Sequence, residues 1–183
     1  MQVGNMDKKE HLELLLKKIS RYDFYINSTN AKASIIIAWN GIIIGTIFLK
    51  YNSIIALYCK LEWAYYISNI FLVSLAISSI LSIAFVFKAV NPFLSSSDSQ
   101  KESPKSLIFF GDVSEIPHEE YAKRESELTY EKALSDSISQ AHILATGLIR
   151  KMKDMQQAIR AINYGLLVIF LLIALKGVLA YVR

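Results

Sequence analysis

Three long apolar stretches constrain this chain more than any other feature, and they cover residues 33–49, 63–87 and 164–182. A helix needs about 20 apolar residues to cross the hydrocarbon core of a bilayer, and each stretch reaches or approaches that length. The first stretch follows a long charged segment that favours helix, whereas a secretory signal peptide begins with a short basic segment. The sequence therefore predicts an all-α integral membrane protein with three transmembrane helices.

Lysine and arginine are unevenly distributed around these spans. They are frequent before the first span and between the second and third, whereas loop 50–62 carries only Lys50 and Lys60. Cytoplasmic segments carry the excess of such residues, so we expect a cytoplasmic N-terminus and a periplasmic C-terminus. The predicted organisation is a cytoplasmic amphipathic helix (1–32), a transmembrane hairpin (33–87), a cytoplasmic linker and coiled-coil sensing region (88–163), and a third transmembrane helix (164–183).

Two helices are predicted on the cytoplasmic side. Residues 6–30 form an amphipathic helix that either continues into the first span or bends at the polar cluster 27–30. Before the third span, apolar residues recur at alternating steps of four and three, as in a coiled-coil seam, and no proline interrupts this rod of about fifty residues. The seam either packs only on the chain's own N-terminal helix or also contacts other copies of the chain. We favour the second alternative, a homo-oligomer, and among homo-oligomers a tetramer. The seam residues are Leu134, Ile138, Ala141, Ala145, Leu148, Met152, Met155, Ile159 and Ile162.

Small and polar residues in the first two spans indicate helix packing. Gly41 and Gly45 form a GxxxG motif, which lets two helix backbones approach closely. Asn40 lies beside this motif near mid-span, and an amide there should face another helix or a pore. We favour packing within a bundle over pore lining. A second small-residue face consists of Ser74, Ser78 and Ser82.

Lys176 is a charged residue within the third span. A charge at that depth is expensive and tends to face water or a partner. Its long side chain either reaches the outer surface or lines the outer mouth of a pore formed around the seam.

A basic ridge on the seam helix is the candidate ligand site. Cations and an amide there step by three and four residues and end about one turn below the third span. The ridge either contacts anionic lipid headgroups or binds a phosphorylated ligand, with aromatic residues stacking on its base. The ridge comprises Arg150, Lys151, Lys153, Gln157 and Arg160, and the other candidates are Lys17, Arg21, Phe109, Phe110 and Tyr121.

Catalytic and metal-binding signatures do not occur in the sequence. It has no Walker A motif, no GxGxxG, no HExxH and no CxxC, and its three histidines are far apart. Such motifs carry most nucleotide, zinc and redox chemistry that can be recognised from sequence. We therefore predict a non-enzymatic protein with no cofactor and no metal site.

Short motifs resemble the Pycsar effector transmembrane family, small bacterial membrane proteins of antiphage systems. Residues 30–34 (Asn-Ala-Lys-Ala-Ser) are similar to the family's Asp-x-Lys-Ala-Ser entry to the first span, with Asn30 in place of the aspartate. Residues 109–113 (Phe-Phe-Gly-Asp-Val) are similar to its Phe-Phe-Gly turn. The match continues through Ile116, Glu119, Glu120 and Tyr121, and then through Gln140, Ala141, Ala145 and Lys151.

The resemblance implies an effector of the bacterial inner membrane that disrupts or permeabilises that membrane when a nucleotide signal changes, which causes abortive infection. It implies a linked cyclase or nucleotidyltransferase as the source of the signal. In the family the signal is a cyclic pyrimidine mononucleotide, and an oligonucleotide held by basic helices is a related expectation. The alternative is a membrane-anchored coiled-coil adaptor that recruits a protein partner without forming a pore.

Overall fold

A computed structural model describes residues 7–91 and 105–181. Residues 92–104, which form much of the predicted linker, lie outside the described ranges, as do the first six and the last two residues. Within the described ranges every regular element is a helix, which confirms the all-α prediction. The helices are α1 (Lys8–Ile55), α2 (Glu62–Val90), α3 (Phe110–Ser114), α4 (His118–Ser126) and α5 (Tyr130–Tyr181).

Three of these helices, α1, α2 and α5, are long and apolar enough to cross a membrane. They contain the three apolar stretches found in the sequence, apart from residue 182, which lies outside the described residues. Helix α1 runs through the polar cluster 27–30 without a break, so the bend is not observed. No proline or glycine lies between Asp7 and Asn40, and the Ser34 hydroxyl donates to the carbonyl oxygen of Asn30 at 3.3 Å within the helix.

Helix α5 is the predicted rod, with 52 residues in one uninterrupted helix. Only part of the predicted seam is buried within the chain. Leu148 and Met155 are buried, whereas Ile138, Met152 and Ile159 are each more than 40% exposed. The buried face of α5 is rotated from the seam and includes small and polar residues, which an apolar pattern does not reveal. These are Ser137, Gln140, Lys151 and Ala158.

The segment before α5 corrects one expectation about helix caps. The sequence favours Ser114 as the N-cap of a helix with Pro117 in its first turn, but Ser114 is the last residue of α3, and its hydroxyl donates to the carbonyl oxygen of Gly111 at 2.7 Å. Pro117 itself occupies the N-cap position of α4. A break at 127–129 separates α4 from α5, and Thr129 Oγ1 accepts the amide of Lys132 at 3.4 Å. A short hydroxyl side chain is a typical helix start.

The described residues divide into two compact units. The first unit comprises residues 7–27 and 105–150, and the second comprises residues 28–91 and 151–181. In the second unit α2 runs antiparallel to the α5 segment, because residues later in α2 contact residues earlier in α5. The contacts that show this order are Ser74 with Tyr164, Ser82 with Ala158, and Ala89 with Lys151.

Two apolar clusters form the core of the second unit. One cluster lies towards the connection between α1 and α2 and includes Leu72, Leu75, Val168 and Leu172. The other lies towards the C-terminus of α2 and includes Ala33, Ile36, Val86, Ala89, Met155 and Ala158. Three of the six residues in the second cluster are alanines, which allow the three helices to approach closely there.

Candidate functional site

Lys151 holds the C-terminus of α2 rather than presenting its charge to solvent. The residue is 7% exposed, and its ammonium donates to the carbonyl oxygens of Ala89 at 2.6 Å and Asn91 at 2.9 Å. The last carbonyls of a helix have no partner within that helix, and a cation is favourable at this end of the helix dipole. Burial lowers the pKa of Lys151 below that of an ordinary lysine. In this arrangement Lys151 is a structural cap within the second unit.

Asn40 ties all three long helices together in the second unit. Its side-chain amide donates to the carbonyl oxygen of Ile36 at 2.9 Å and to Ser82 Oγ at 3.1 Å. The Ser82 hydroxyl in turn donates to the carbonyl oxygen of Ala158 at 3.2 Å. Asn40 is 1% exposed, so the mid-span amide faces another helix of its own chain.

The GxxxG motif beside Asn40 faces open space in the single chain and does not pack against another helix of that chain. A Cβ added at Gly41 or at Gly45 would meet no atom within 4 Å. The close backbone approach in the second unit occurs instead at Gly165, where a Cβ would lie 3.1 Å from Ser78 Oγ and 3.2 Å from Leu75 Cδ1. The small-residue face of α2 therefore packs on α5, while the glycine face of α1 remains open in the single chain.

We expect Asn40 and Ser82 to be energetically coupled. Replacing each with alanine, singly and together, should give a coupling free energy of about 0.6 kcal/mol and at most about 1.7 kcal/mol, the range of hydrogen bonds between transmembrane helices. Thermal unfolding in detergent micelles measures the cycle. Ser74→Ala is the matched control: Ser74 pairs with Tyr164 at 2.8 Å, so its effect should add to that of Asn40→Ala. Additivity in the Asn40 and Ser82 cycle would contradict the contact.

An open groove lies between α2 and α5 within the second unit and has a volume of about 760 Å³. We call it the α2–α5 groove. Most of its wall is apolar, and Gln157 and Arg160 lie on the α5 side. Arg160 is the one charged residue in the wall. The groove is lined by Asn69, Ile70, Val73, Ser74, Ile77, Ser78, Leu81, Phe85, Gln157, Arg160, Ala161 and Tyr164.

The level of Arg160 differs from the sequence expectation. The sequence predicts that the ridge ends about one turn below the third span. In the second unit Ala158 contacts Ser82 and Tyr164 contacts Ser74. Arg160 of α5 therefore lies beside the middle of α2, at the level of the apolar stretch 63–87 of that helix. Span ends inferred from α5 alone miss this offset, because the apolar run of α2 extends beyond the level at which the apolar run of α5 begins.

The remaining cations of the basic ridge are on the surface. Arg150 belongs to the first unit and Lys153 to the second, and both are exposed. Lys176 is also exposed, near the C-terminal end of α5. These residues have the accessibility that binding of an anion requires.

A closed turn in the first unit contains the Phe-Phe-Gly-Asp motif. The buried Asp112 carboxylate accepts the amide of Ser106 at 2.9 Å, and Ser106 Oγ accepts the amides of Ile108 and Phe109 at 3.1 Å and 3.0 Å. Asp136 of α5 accepts the amide of Leu107 at 2.9 Å. The first three bonds close the turn, and the bond to Asp136 fastens it to α5.

The two phenylalanines of this turn have different roles. The Phe109 ring lies against Gly111, where an added Cβ would come within 2.5 Å of Phe109 Cε1. The glycine therefore makes room for this ring. Phe110 is 69% exposed and contacts Phe109 with ring centroids 4.9 Å apart. Phe110 is thus available to an external partner, as a residue that stacks on a base would be.

The other candidate ligand residues of the first unit lie on α1 and α4. Lys17 and Arg21 are exposed on α1, and the Arg21 guanidinium lies over the Tyr25 ring, 5.8 Å from its centroid. Tyr121 on α4 is half-buried. Sequence reasoning missed Ser106, Asp136 and the caps of α2. The side chains involved are ordinary polar residues with no spacing signal, and only the fold brings them to their partners.

Comparisons with known proteins identify the family of the chain. A search of the curated proteins and a search of the solved structures each found no match. Within the described residues, no group of three or more His, Cys, Asp or Glu residues is placed to hold a metal ion. The family model of the Pycsar effector protein domain matches residues 14–177, which include all three apolar stretches. This membrane protein therefore belongs to the Pycsar effector family of antiphage defence.

Proposed function

We propose that the protein is a non-enzymatic effector that permeabilises the bacterial inner membrane in response to a nucleotide signal. The observation that carries this proposal is the continuity of α5, which runs from Tyr130 to Tyr181 without a break. The same helix contains the exposed cations Arg150 and Lys153 and the third apolar span. A nucleotide that binds these cations would act directly on a membrane-spanning helix.

Charge and aromatic side chains support the nucleotide as the signal. Arg150, Lys153, Lys17 and Arg21 are exposed cations, and such groups neutralise phosphate oxygens. The exposed Phe110 ring and the half-buried rings of Phe109 and Tyr121 offer stacking surfaces. We leave Lys151 out of this set because its ammonium is already bound to two carbonyl oxygens.

Assembly into a homo-oligomer, with a tetramer favoured, is part of the proposal. Three of the nine predicted seam residues are exposed in the single chain, at positions separated by multiples of seven residues, which is the spacing of a coiled-coil contact. The glycine face of α1 at Gly41 and Gly45 is also open. A pore around such an axis would have Lys176 near its outer mouth. The exposed seam residues are Ile138, Met152 and Ile159, and the exposed Leu166 and Ile173 continue the same heptad position into the third span.

Dye release from liposomes tests the function. Purified protein in sealed vesicles should change its rate of dye release at least tenfold when a cyclic pyrimidine mononucleotide is added, compared with cyclic purine mononucleotides and with short oligonucleotides. Arg150→Glu with Lys153→Glu should abolish the response, because reversed charges repel phosphate. Lys60→Glu, in the loop between α1 and α2, is the control and should respond normally.

The direction of the response and its absence are both informative. Release that rises on adding nucleotide supports activation by the ligand, and release that falls supports a ligand that holds the assembly shut. No change with any nucleotide, in a protein that inserts and assembles normally, would favour the membrane-anchored adaptor. In that case a protein partner should be recovered by cross-linking in cells through the exposed seam.

A further inference from the structure

We propose that the α2–α5 groove binds an anionic phospholipid, with the phosphate at Gln157 and Arg160 and one acyl chain along α2. This site is separate from the nucleotide-binding residues in the proposed function. It depends on that proposal only for its leaflet, which is the inner one if the N-terminus is cytoplasmic. The inference concerns the second unit alone.

The apolar part of the groove matches an acyl chain. Ile70, Val73, Ile77 and Leu81 lie on one face of α2 at steps of three and four residues, and each is at least 50% exposed. From Leu81 to Ile70 the helix rises about 16 Å. That length is about half of a hydrocarbon core of roughly 30 Å, which is the depth that an acyl chain of one leaflet occupies.

The polar part of the groove needs an anion. Arg160 is at the level of the apolar stretch of α2, between the contacts of Ala158 with Ser82 and of Tyr164 with Ser74. A guanidinium at that depth is costly unless an anion or water meets it. A phosphate accepts two parallel hydrogen bonds from a guanidinium, and the Gln157 amide on the same wall adds a further donor.

A second copy of the chain is a poorer occupant for two reasons. The apolar stretches 33–49, 63–87 and 164–182 contain no aspartate or glutamate, and the nearest acidic residue of α5, Asp154, lies six residues before Arg160. This is about 9 Å along the helix, so a neighbouring copy offers no carboxylate at the depth of Arg160. In addition, residues 157 and 166 lie on opposite sides of α5 at about 100° per residue. The exposed seam positions and their continuation at Leu166 can therefore meet other copies while the groove stays open to lipid.

Lipid retention measured by native mass spectrometry tests the site. The wild-type protein is first reconstituted in nanodiscs that contain equal parts of phosphatidylglycerol and phosphatidylcholine. When it is ejected from the nanodisc in the spectrometer, it should retain phosphatidylglycerol in preference to phosphatidylcholine. Arg160→Gln should lower that preference about tenfold, equivalent to the loss of about 1.4 kcal/mol. Lys176→Gln removes a cation from the same helix outside the groove and should retain the wild-type preference.

A second variant tests the acyl chain independently of charge. Ile77→Trp fills the middle of the groove and should reduce retention of both lipids severalfold, while thermal unfolding in detergent stays close to wild type because Ile77 is 53% exposed. Unchanged lipid preference in Arg160→Gln, or unchanged retention in Ile77→Trp, would overturn the proposal. So would a disulfide between copies formed by Ile77→Cys in a Cys59→Ser background, since a second chain would then fill the groove. None of these results alters the dye-release assay, so the two proposals fail separately.

Discussion

Replacing Gly165 with leucine should prevent normal packing of the second unit. The α-carbon of Gly165 lies so close to α2 that even a Cβ would be 3.1 Å from Ser78 Oγ and 3.2 Å from Leu75 Cδ1. A leucine side chain has no space at this contact and must push α5 away from α2. Overpacking of a tight core costs about 1–3 kcal/mol, and we expect the upper end of that range, a fall in Tm of roughly 10 °C.

Gly177→Leu is the matched control for this prediction. It introduces the same side chain on the same helix, but a Cβ at Gly177 would meet no atom within 4 Å. Thermal unfolding in detergent micelles should therefore be close to wild type for Gly177→Leu and strongly lowered for Gly165→Leu. Equal unfolding temperatures for the two variants would contradict the close contact between α2 and α5. Gly165→Ala should lie between them, because its single methyl group requires a shift of only a few tenths of an ångström.

Replacing Lys151 with methionine should destabilise the protein by about 2–3 kcal/mol. Methionine keeps the length and the apolar stem of the side chain but leaves the carbonyl oxygens of Ala89 and Asn91 without the ammonium. Hydrogen bonds to a charged group contribute about 1.5–3 kcal/mol, and an abandoned buried acceptor adds its own desolvation penalty. Thermal unfolding measures the loss. The control is Lys153→Met, two residues along the same helix at an exposed position, which should change Tm little.

The pH dependence of stability, compared between the wild-type protein and Lys151→Met, gives a second readout. Burial lowers the pKa of Lys151 in the folded state below the usual value of 10.5. Between the two pKa values the unfolded chain binds more protons than the folded chain, so this group makes the free energy of unfolding rise with pH. Relative to Lys151→Met, the wild-type protein should gain stability as the pH increases towards 10.5. A parallel pH profile in both proteins would contradict burial of this ammonium.

Sequence reasoning succeeded where the governing physics is local. Spans 33–49, 63–87 and 164–182 follow from hydropathy and length, and the uninterrupted α5 follows from its heptad pattern and its lack of proline. It failed where a residue's role depends on a partner far along the chain. Ser114 ends a short helix instead of starting one, because Pro117 takes the N-cap position of α4.

The seam of α5 shows the same division between local pattern and tertiary contact. Its residues were selected for apolar character, yet the face that packs within the chain includes Gln140 and Lys151. A polar side chain can be buried if a partner satisfies it, and the sequence does not reveal the partner. Ile138, Met152 and Ile159 consequently remain at the surface of the single chain, although the apolar pattern alone assigns them to a packed seam.

The sequence by itself determined that the chain is helical and membrane-spanning and that it resembles the Pycsar effectors, because apolar length, helical periodicity and short motifs are properties of neighbouring residues. Only the tertiary structure decided that Lys151 caps α2, that Asn40 bonds to Ser82, and that Arg160 lies in a groove beside the apolar stretch of α2. These outcomes depend on the relative level of antiparallel helices. That level is set by close packing at small residues such as Gly165 and Ala158, which carry no pattern of their own.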